Sequence, residues 1–139
     1  MGVPTLQVNG INHVVLHVTD LERSRKFYTE VLGFEDRNFS TGRNRGASFL
    51  RGGSQGLDLF EVSGGDVYGG KEMNHMALSV EADDVEAVSA ALEAVGIDTS
   101  EKTPRNSLFI SDPDGHRIEI LPRSAYALAL DRDRTQVAT

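Results

Sequence analysis

A seven-residue phrase occurs twice in the chain and limits what it can fold into. Asn12-His13-Val14-Val15-Leu16-His17-Val18 returns as Asn74-His75-Met76-Ala77-Leu78-Ser79-Val80, both reading Asn-His-x-x-Leu-x-Val. The sequel repeats as well. An amphipathic stretch ends at Leu32-Gly33-Phe34 after the first copy and at Val95-Gly96-Ile97 after the second. Repetition of a motif together with its sequel marks a duplicated unit. Each copy carries a histidine at the same place, so duplication predicts two histidines facing each other across a pseudo-two-fold axis.

The periodicity gives each half the same order of elements. Residues 11–18 alternate, with Val14, Leu16 and Val18 on one face and His13, Val15 and His17 on the other, the pattern of a half-buried strand. Thr19-Asp20-Leu21-Glu22 reads as a capping box in which Thr19 caps and Glu22 reaches back. Leu21, Tyr28, Val31 and Leu32 form the apolar stripe of the helix that follows, and Gly33 stops it. Strands are expected at 34–39, 47–51 and 57–62, separated by turn glycines. Residues 63–71, with four glycines, read as a linker. The second half repeats the scheme. A strand is expected at 73–80, then a helix capped by Asp83-Asp84-Val85-Glu86 with the stripe Val85, Val88, Leu92 and Val95, then strands at 97–102, 107–111 and 117–121. Asp112-Pro113-Asp114-Gly115 is a turn, with His116 expected to be exposed beside it. The expected class is α+β: two βαβββ modules, 11–62 and 73–121, making one domain over 11–123. Residues 124–139 form a C-terminal tail, of which 124–134 is read as a short helix.

Composition closes off several functions. The chain has 139 residues, 39% hydrophobic and 25% charged, which suits a core of moderate size. A net charge of −7 argues against nucleic acid, whose phosphates need a clustered basic surface. Arg43 and Arg45 are read as a solvated loop. With no cysteine, disulfides, thiolate metal sites and thiol catalysis are excluded. No apolar run reaches the roughly 20 residues of a membrane span, so no membrane partner is expected. Residues 1–6 lack a basic-then-apolar leader pattern, and a cytoplasmic protein is expected.

Matching positions of the two halves carry the candidate chemistry. Leu57-Asp58-Leu59 corresponds to Ile118-Glu119-Ile120. In each, the branched aliphatics point to the helix side, which turns the carboxylate toward the face of His13 or His75. A charge set mid-strand is costly to bury without a partner. On the second histidine strand Ala77 and Ser79 are small and leave space for a ligand. Four groups thus converge: His13, Asp58, His75 and Glu119. Imidazole plus carboxylate suits one divalent ion, Fe2+, Mn2+, Zn2+, Ni2+ or Co2+. Met73 and Met76 are read as core filling.

At these residues the chain resembles the vicinal oxygen chelate superfamily of glyoxalases, bleomycin- and fosfomycin-resistance proteins and extradiol dioxygenases. The likeness is carried by Asn12-His13-Val14-Val15-Leu16, Asp20-Leu21-Glu22-Arg23-Ser24, Phe27-Tyr28, Val31-Leu32-Gly33-Phe34 and Asp112-Pro113-Asp114-Gly115-His116-Arg117-Ile118-Glu119. The resemblance implies that the two modules form a cupped mixed sheet, with metal ligands at His13, His75 and Glu119 and with Asp58 where glyoxalases place a fourth. Asp58 and Glu119 are the catalytic candidates. Strand parity and the alignment of the halves place Val15, His17, Phe60, Ala77, Ser79 and Phe109 in the substrate pocket. His17 stands where glyoxalases carry a glutathione-anchoring arginine, and Phe109 and Phe60 stand where extradiol enzymes use a tyrosine and a histidine.

The expected activity is therefore that of a metal-dependent isomerase or lyase. It would act on a small molecule with vicinal oxygens through a metal-stabilised enediolate. The alternatives are an Fe(II) extradiol-type ring-cleavage dioxygenase and a non-catalytic protein that sequesters small molecules such as drugs. By the same resemblance a homodimer is expected, with active sites shared between subunits.

Overall fold

The computed structural model describes residues 11–37, 46–64 and 73–125. Arg43 and Arg45, most of the 63–71 linker and the tail beyond residue 125 lie outside the described residues. The chain divides into two units, Met1–Val67 and Tyr68–Thr139.

In the first unit, β1 (His13–Val18) pairs in parallel with β4 (Gln55–Glu61). Antiparallel to β4 runs β3 (Ala47–Gly52), and β2 (Glu35–Asp36) forms the far edge, giving the order β1-β4-β3-β2. β3 turns into β4 through Gly53-Ser54, where Gly53 takes the positive φ (+60°) that a two-residue hairpin requires. α1 (Leu21–Lys26) packs on β3 and β4 and continues as one wide π-turn, Phe27–Val31. Leu16, Val18, Tyr28, Leu50, Leu57 and Leu59 fill the core beneath it. Tyr28 is wholly enclosed, edge-on to both Phe27 and Phe34. The helix start differs from the expectation. Asp20, rather than Thr19, is the N-cap, its carboxylate accepting from Arg23 N at 3.0 Å. Thr19 instead accepts from the Arg23 guanidinium, and Glu22 turns forward to Arg25. An aspartate one residue nearer the helix outcompetes the threonine for the free N–H groups.

In the second unit, β5 (Met76–Ser79) pairs in parallel with β7 (Arg117–Leu121), and β6 (Leu108–Ser111) lies antiparallel on the other side of β7. α2 (Val85–Glu93) is capped by Asp84, which accepts from Ala87 N at 2.9 Å. The strand expected at 97–102 is reduced to an isolated bridge between Lys102 and Leu108. Side chains take over its backbone: Asp98 accepts from Ser100 N, and Thr99 turns inward to Ser89 and Glu93. Val95 is 60% exposed, not part of the stripe, because α2 ends at Glu93 and Gly96 (φ +81°) turns the chain away. His116 is buried, not exposed. Its N–H closes the turn by donating to Asp112 Oδ1 at 2.8 Å. The fold class expected from sequence, α+β, is the one observed, with two mixed sheets. No helix of the described residues is long and apolar enough to cross a membrane.

The end of α2 provides a quantitative check. Leu92→Ala, deep in the core, should cost about 2–5 kcal/mol of unfolding free energy. Val95→Ala, three residues on, should stay within about 0.5 kcal/mol of the parent. Chemical denaturation of both variants measures the difference.

Candidate functional site

Strand pairing brings the expected residues to one face within each unit. Across the first sheet, His13 pairs with Gly56, Val15 with Asp58 and His17 with Phe60. Phe49 and Arg51 of β3 continue the rows opposite Asp58 and Gly56. Leu57 and Leu59, buried on the helix side, force Asp58 to the other side. Val15 and Phe60 remain 42% and 41% exposed, an apolar floor open to a ligand or partner surface. Asn12, His13, Phe49, Arg51, Gly56 and Asp58 line a concavity of about 290 Å³.

The second unit repeats the plan. Ala77 and Phe109 flank Glu119 in register, and Ser79 lies opposite Leu121. His75 immediately precedes β5 and meets the Phe109 ring edge-on, with centroids 5.0 Å apart. Arg117 lies 4.1 Å over the same ring while its guanidinium also pairs with Glu101.

Each histidine is held alike. His13 Nδ1 is 2.8 Å from Asn12 Oδ1, and His75 Nδ1 is 2.8 Å from Asn74 Oδ1. An amide oxygen only accepts, so the proton resides on Nδ1 in both rings. In the neutral ring this tautomer puts the lone pair on Nε2, the form in which imidazole ligates a metal. Each lone pair has a carboxylate nearby: Nε2 of His13 is 3.8 Å from Asp58 Oδ2, and Nε2 of His75 is 3.6 Å from Glu119 Oε1. These are too long for hydrogen bonds, so each pair of donors stands side by side without satisfying the other.

The two carboxylates are in different surroundings. Glu119 is buried and accepts from the Ser107 hydroxyl at 2.7 Å. Burial pushes the Asp58 carboxyl above its ordinary range, with nearby His13 pulling the other way. No cluster of three or more histidine or carboxylate side chains occurs among the described residues. Each unit contributes a pair, and the donor chemistry of the pairs fits a divalent ion.

Residues 10–120 match the family model described as the glyoxalase/bleomycin resistance protein/dioxygenase superfamily. The chain belongs to this superfamily. A lactoylglutathione lyase of Haemophilus influenzae is 34% identical over 126 residues, spanning 80% of this chain and 90% of the relative. Glutathione transferase FosA of Serratia marcescens is 30% identical over 118 residues, spanning 81% and 80%. A glyoxalase I structure from Leishmania major, trypanothione-dependent by its description, shares the fold at a TM-score of 0.71, with 24% identity over 94% of this chain and 99% of that one. By name these curated relatives are a lyase and a transferase, and the chain is similar to both along most of its length.

Several residues shape the site without having been singled out from sequence. Asn12 and Asn74 stood in the repeated phrase, where their pairing with histidine was a readable signal. Gly56 is a strand-interior glycine because a Cβ there would come within 2.9 Å of His13 Cβ. Arg51, Arg117 and Ser107 carried no pattern that separated them from ordinary strand residues.

The raised Asp58 carboxyl predicts a stability change. Below the ordinary aspartate range the carboxyl is protonated in folded and unfolded chains alike, and its contribution is fully present. As pH rises through the raised folded value, that contribution is lost. In metal-stripped protein, Asp58→Asn should therefore melt higher than the parent at pH 7, with the gap closing near pH 3. Thermal scans across pH measure this.

Proposed function

We propose that the chain is a divalent-metal-dependent enzyme of the lyase or isomerase type. Its substrate class is a small molecule with two neighbouring oxygens, such as an α-hydroxycarbonyl. The observation that carries the reading is the duplicated half-site: in both units an Asn Oδ1 faces the histidine Nδ1, and Nε2 stands beside a carboxylate. His13, His75 and Glu119 would hold one ion, with Asp58 as a further donor or the proton carrier. The group suits Fe2+, Mn2+, Zn2+, Ni2+ or Co2+ by its nitrogen and oxygen donors. When bound, such an ion supplies Lewis acidity to the two substrate oxygens and lowers the cost of removing the neighbouring carbon-bound proton.

The chain's own residues do the rest. The carboxylate of Asp58 or Glu119 accepts the proton from one carbon and returns it to the next. Val15, Phe60, Ala77 and Phe109 shape an apolar wall, and His17 and Ser79 are the polar contacts. Phe109 and Phe60 carry no exchangeable proton, which favours this reading over ring cleavage. Each unit supplies half of the donor set, and by the resemblance to the superfamily the site is proposed to form between units of two chains in a cytoplasmic homodimer.

Glu119→Gln should bind divalent metal at least ~100-fold more weakly, since lost outer-shell partners alone cost 10–100-fold. Unchanged metal content in that variant rejects the assignment. Uptake of O₂ with a catechol and Fe2+ would instead indicate the dioxygenase, and folded protein that rejects every metal would indicate a sequestering protein. Mixing inactive His13→Ala and Glu119→Ala chains tests the shared site. Activity should return, because a mixed dimer contains one intact site. Subunit exchange without activity places the site within one chain.

A further inference from the structure

We infer that Ser107, backed by Thr103, is a positioning residue for Glu119: it ties down one carboxylate oxygen so that the other is presented beside His75. The inference rests on the reading of Glu119 as a metal ligand. Ser107 is completely buried, and its hydroxyl donates to Glu119 Oε2 at 2.7 Å. The opposite oxygen, Oε1, is the one that stands 3.6 Å from His75 Nε2. Behind Ser107, its Oγ is 2.7 Å from Thr103 Oγ1. A hydroxyl has one proton to give. That of Ser107 goes to Glu119, so Thr103 must donate to Ser107. The Thr103 oxygen accepts in turn from the backbone N–H groups of Arg105 (3.2 Å) and Ser107 (3.3 Å).

The result is a directed chain of donors, from backbone through two hydroxyls to one carboxylate oxygen, in which each bond polarises the next. It is built on a closed turn. Thr103 N–H donates to the Ser107 carbonyl at 2.8 Å, and Asn106 takes a left-handed φ of +62°, which asparagine tolerates better than most residues.

Satisfying a buried carboxylate is an ordinary need. The other half of the duplication shows what is particular here. Phe109 faces Glu119 in register as Phe49 faces Asp58, so the counterpart of Ser107 is Ala47. Alanine has nothing to donate, and Asp58 accepts no hydrogen bond among the described residues. One carboxylate is tied down by a hydroxyl, and its twin has no such tie among the described residues. A fixed oxygen beside an imidazole lone pair is the arrangement a ligand needs, since supporting hydrogen bonds set a ligand's orientation and basicity.

The test uses full-length chain stripped of metal with a chelator and titrated with Ni2+ by calorimetry, with thermal unfolding of the stripped proteins recorded in parallel. Ser107→Ala should weaken Ni2+ binding about 10–100-fold. Ser107→Thr, which keeps a hydroxyl, should recover most of that loss. In a Glu119→Gln background, Ser107→Ala should cost no further affinity. A folded Ser107→Ala chain that binds Ni2+ like the parent, or a full additional loss in the Glu119→Gln background, overturns the inference. If Ser107→Ala does not fold, Thr103→Val carries the test, because it leaves Ser107 and Glu119 in place and removes the donor behind Ser107 together with the acceptor of two turn N–H groups. Unchanged affinity there overturns the inference equally. A parent chain that takes up no metal overturns the functional reading, and this inference with it. A metal-binding parent with indifferent Ser107 and Thr103 variants overturns the inference alone.

Discussion

The hydrogen bond from each histidine's Nδ1 to the asparagine before it is the interaction on which the site depends. Free imidazole can carry its proton on either nitrogen, and a strand surface alone does not choose between them. Asn12 and Asn74 make the choice with the same 2.8 Å contact in both units. The cost is one side chain that must stay in register with its neighbour. A β-strand start meets that need readily, because successive residues are locked in fixed relative directions.

Around that shared contact the two halves have diverged in ways the geometry makes readable. Where the first unit has Gly56, leaving room for His13, the second has Arg117 laid over Phe109. Ala47 stands opposite Phe60 in the first sheet, whereas the corresponding Ser107 reaches Glu119. Asp58 is shorter than Glu119 and sits in a concavity whose burial disfavours its charge. Duplication thus supplied two equivalent histidine–carboxylate pairs, and local substitution gave the two carboxylates different surroundings.

Most of the scaffold was legible because it follows from alternation. The parity of Val14, Leu16 and Val18 against His13, Val15 and His17 fixes the face of β1, and Leu57 and Leu59 fix that of Asp58. What the sequence concealed lies where side chains compete with the backbone. Asp98 and Thr99 carry strand-compatible neighbours, yet their own hydrogen bonds dissolve the expected strand at 97–102. His116 looked like a turn-tip residue, but Asp112 draws its N–H inward. Ser107 was invisible for a related reason: a serine at a strand start has many uses, and only its distance to Glu119 selects one.

The half-site depends most directly on the protonation of two rings, which ¹⁵N NMR of metal-stripped, histidine-labelled protein at mildly alkaline pH reads out. His13 and His75 should both appear as the Nδ1–H tautomer, with Nε2 unprotonated, and replacing Asn74 with Leu should release the His75 ring from that state. If either ring in the parent protein carries its proton on Nε2, the asparagine contact does not prepare a lone pair, and the half-site on which the functional reading rests is not there.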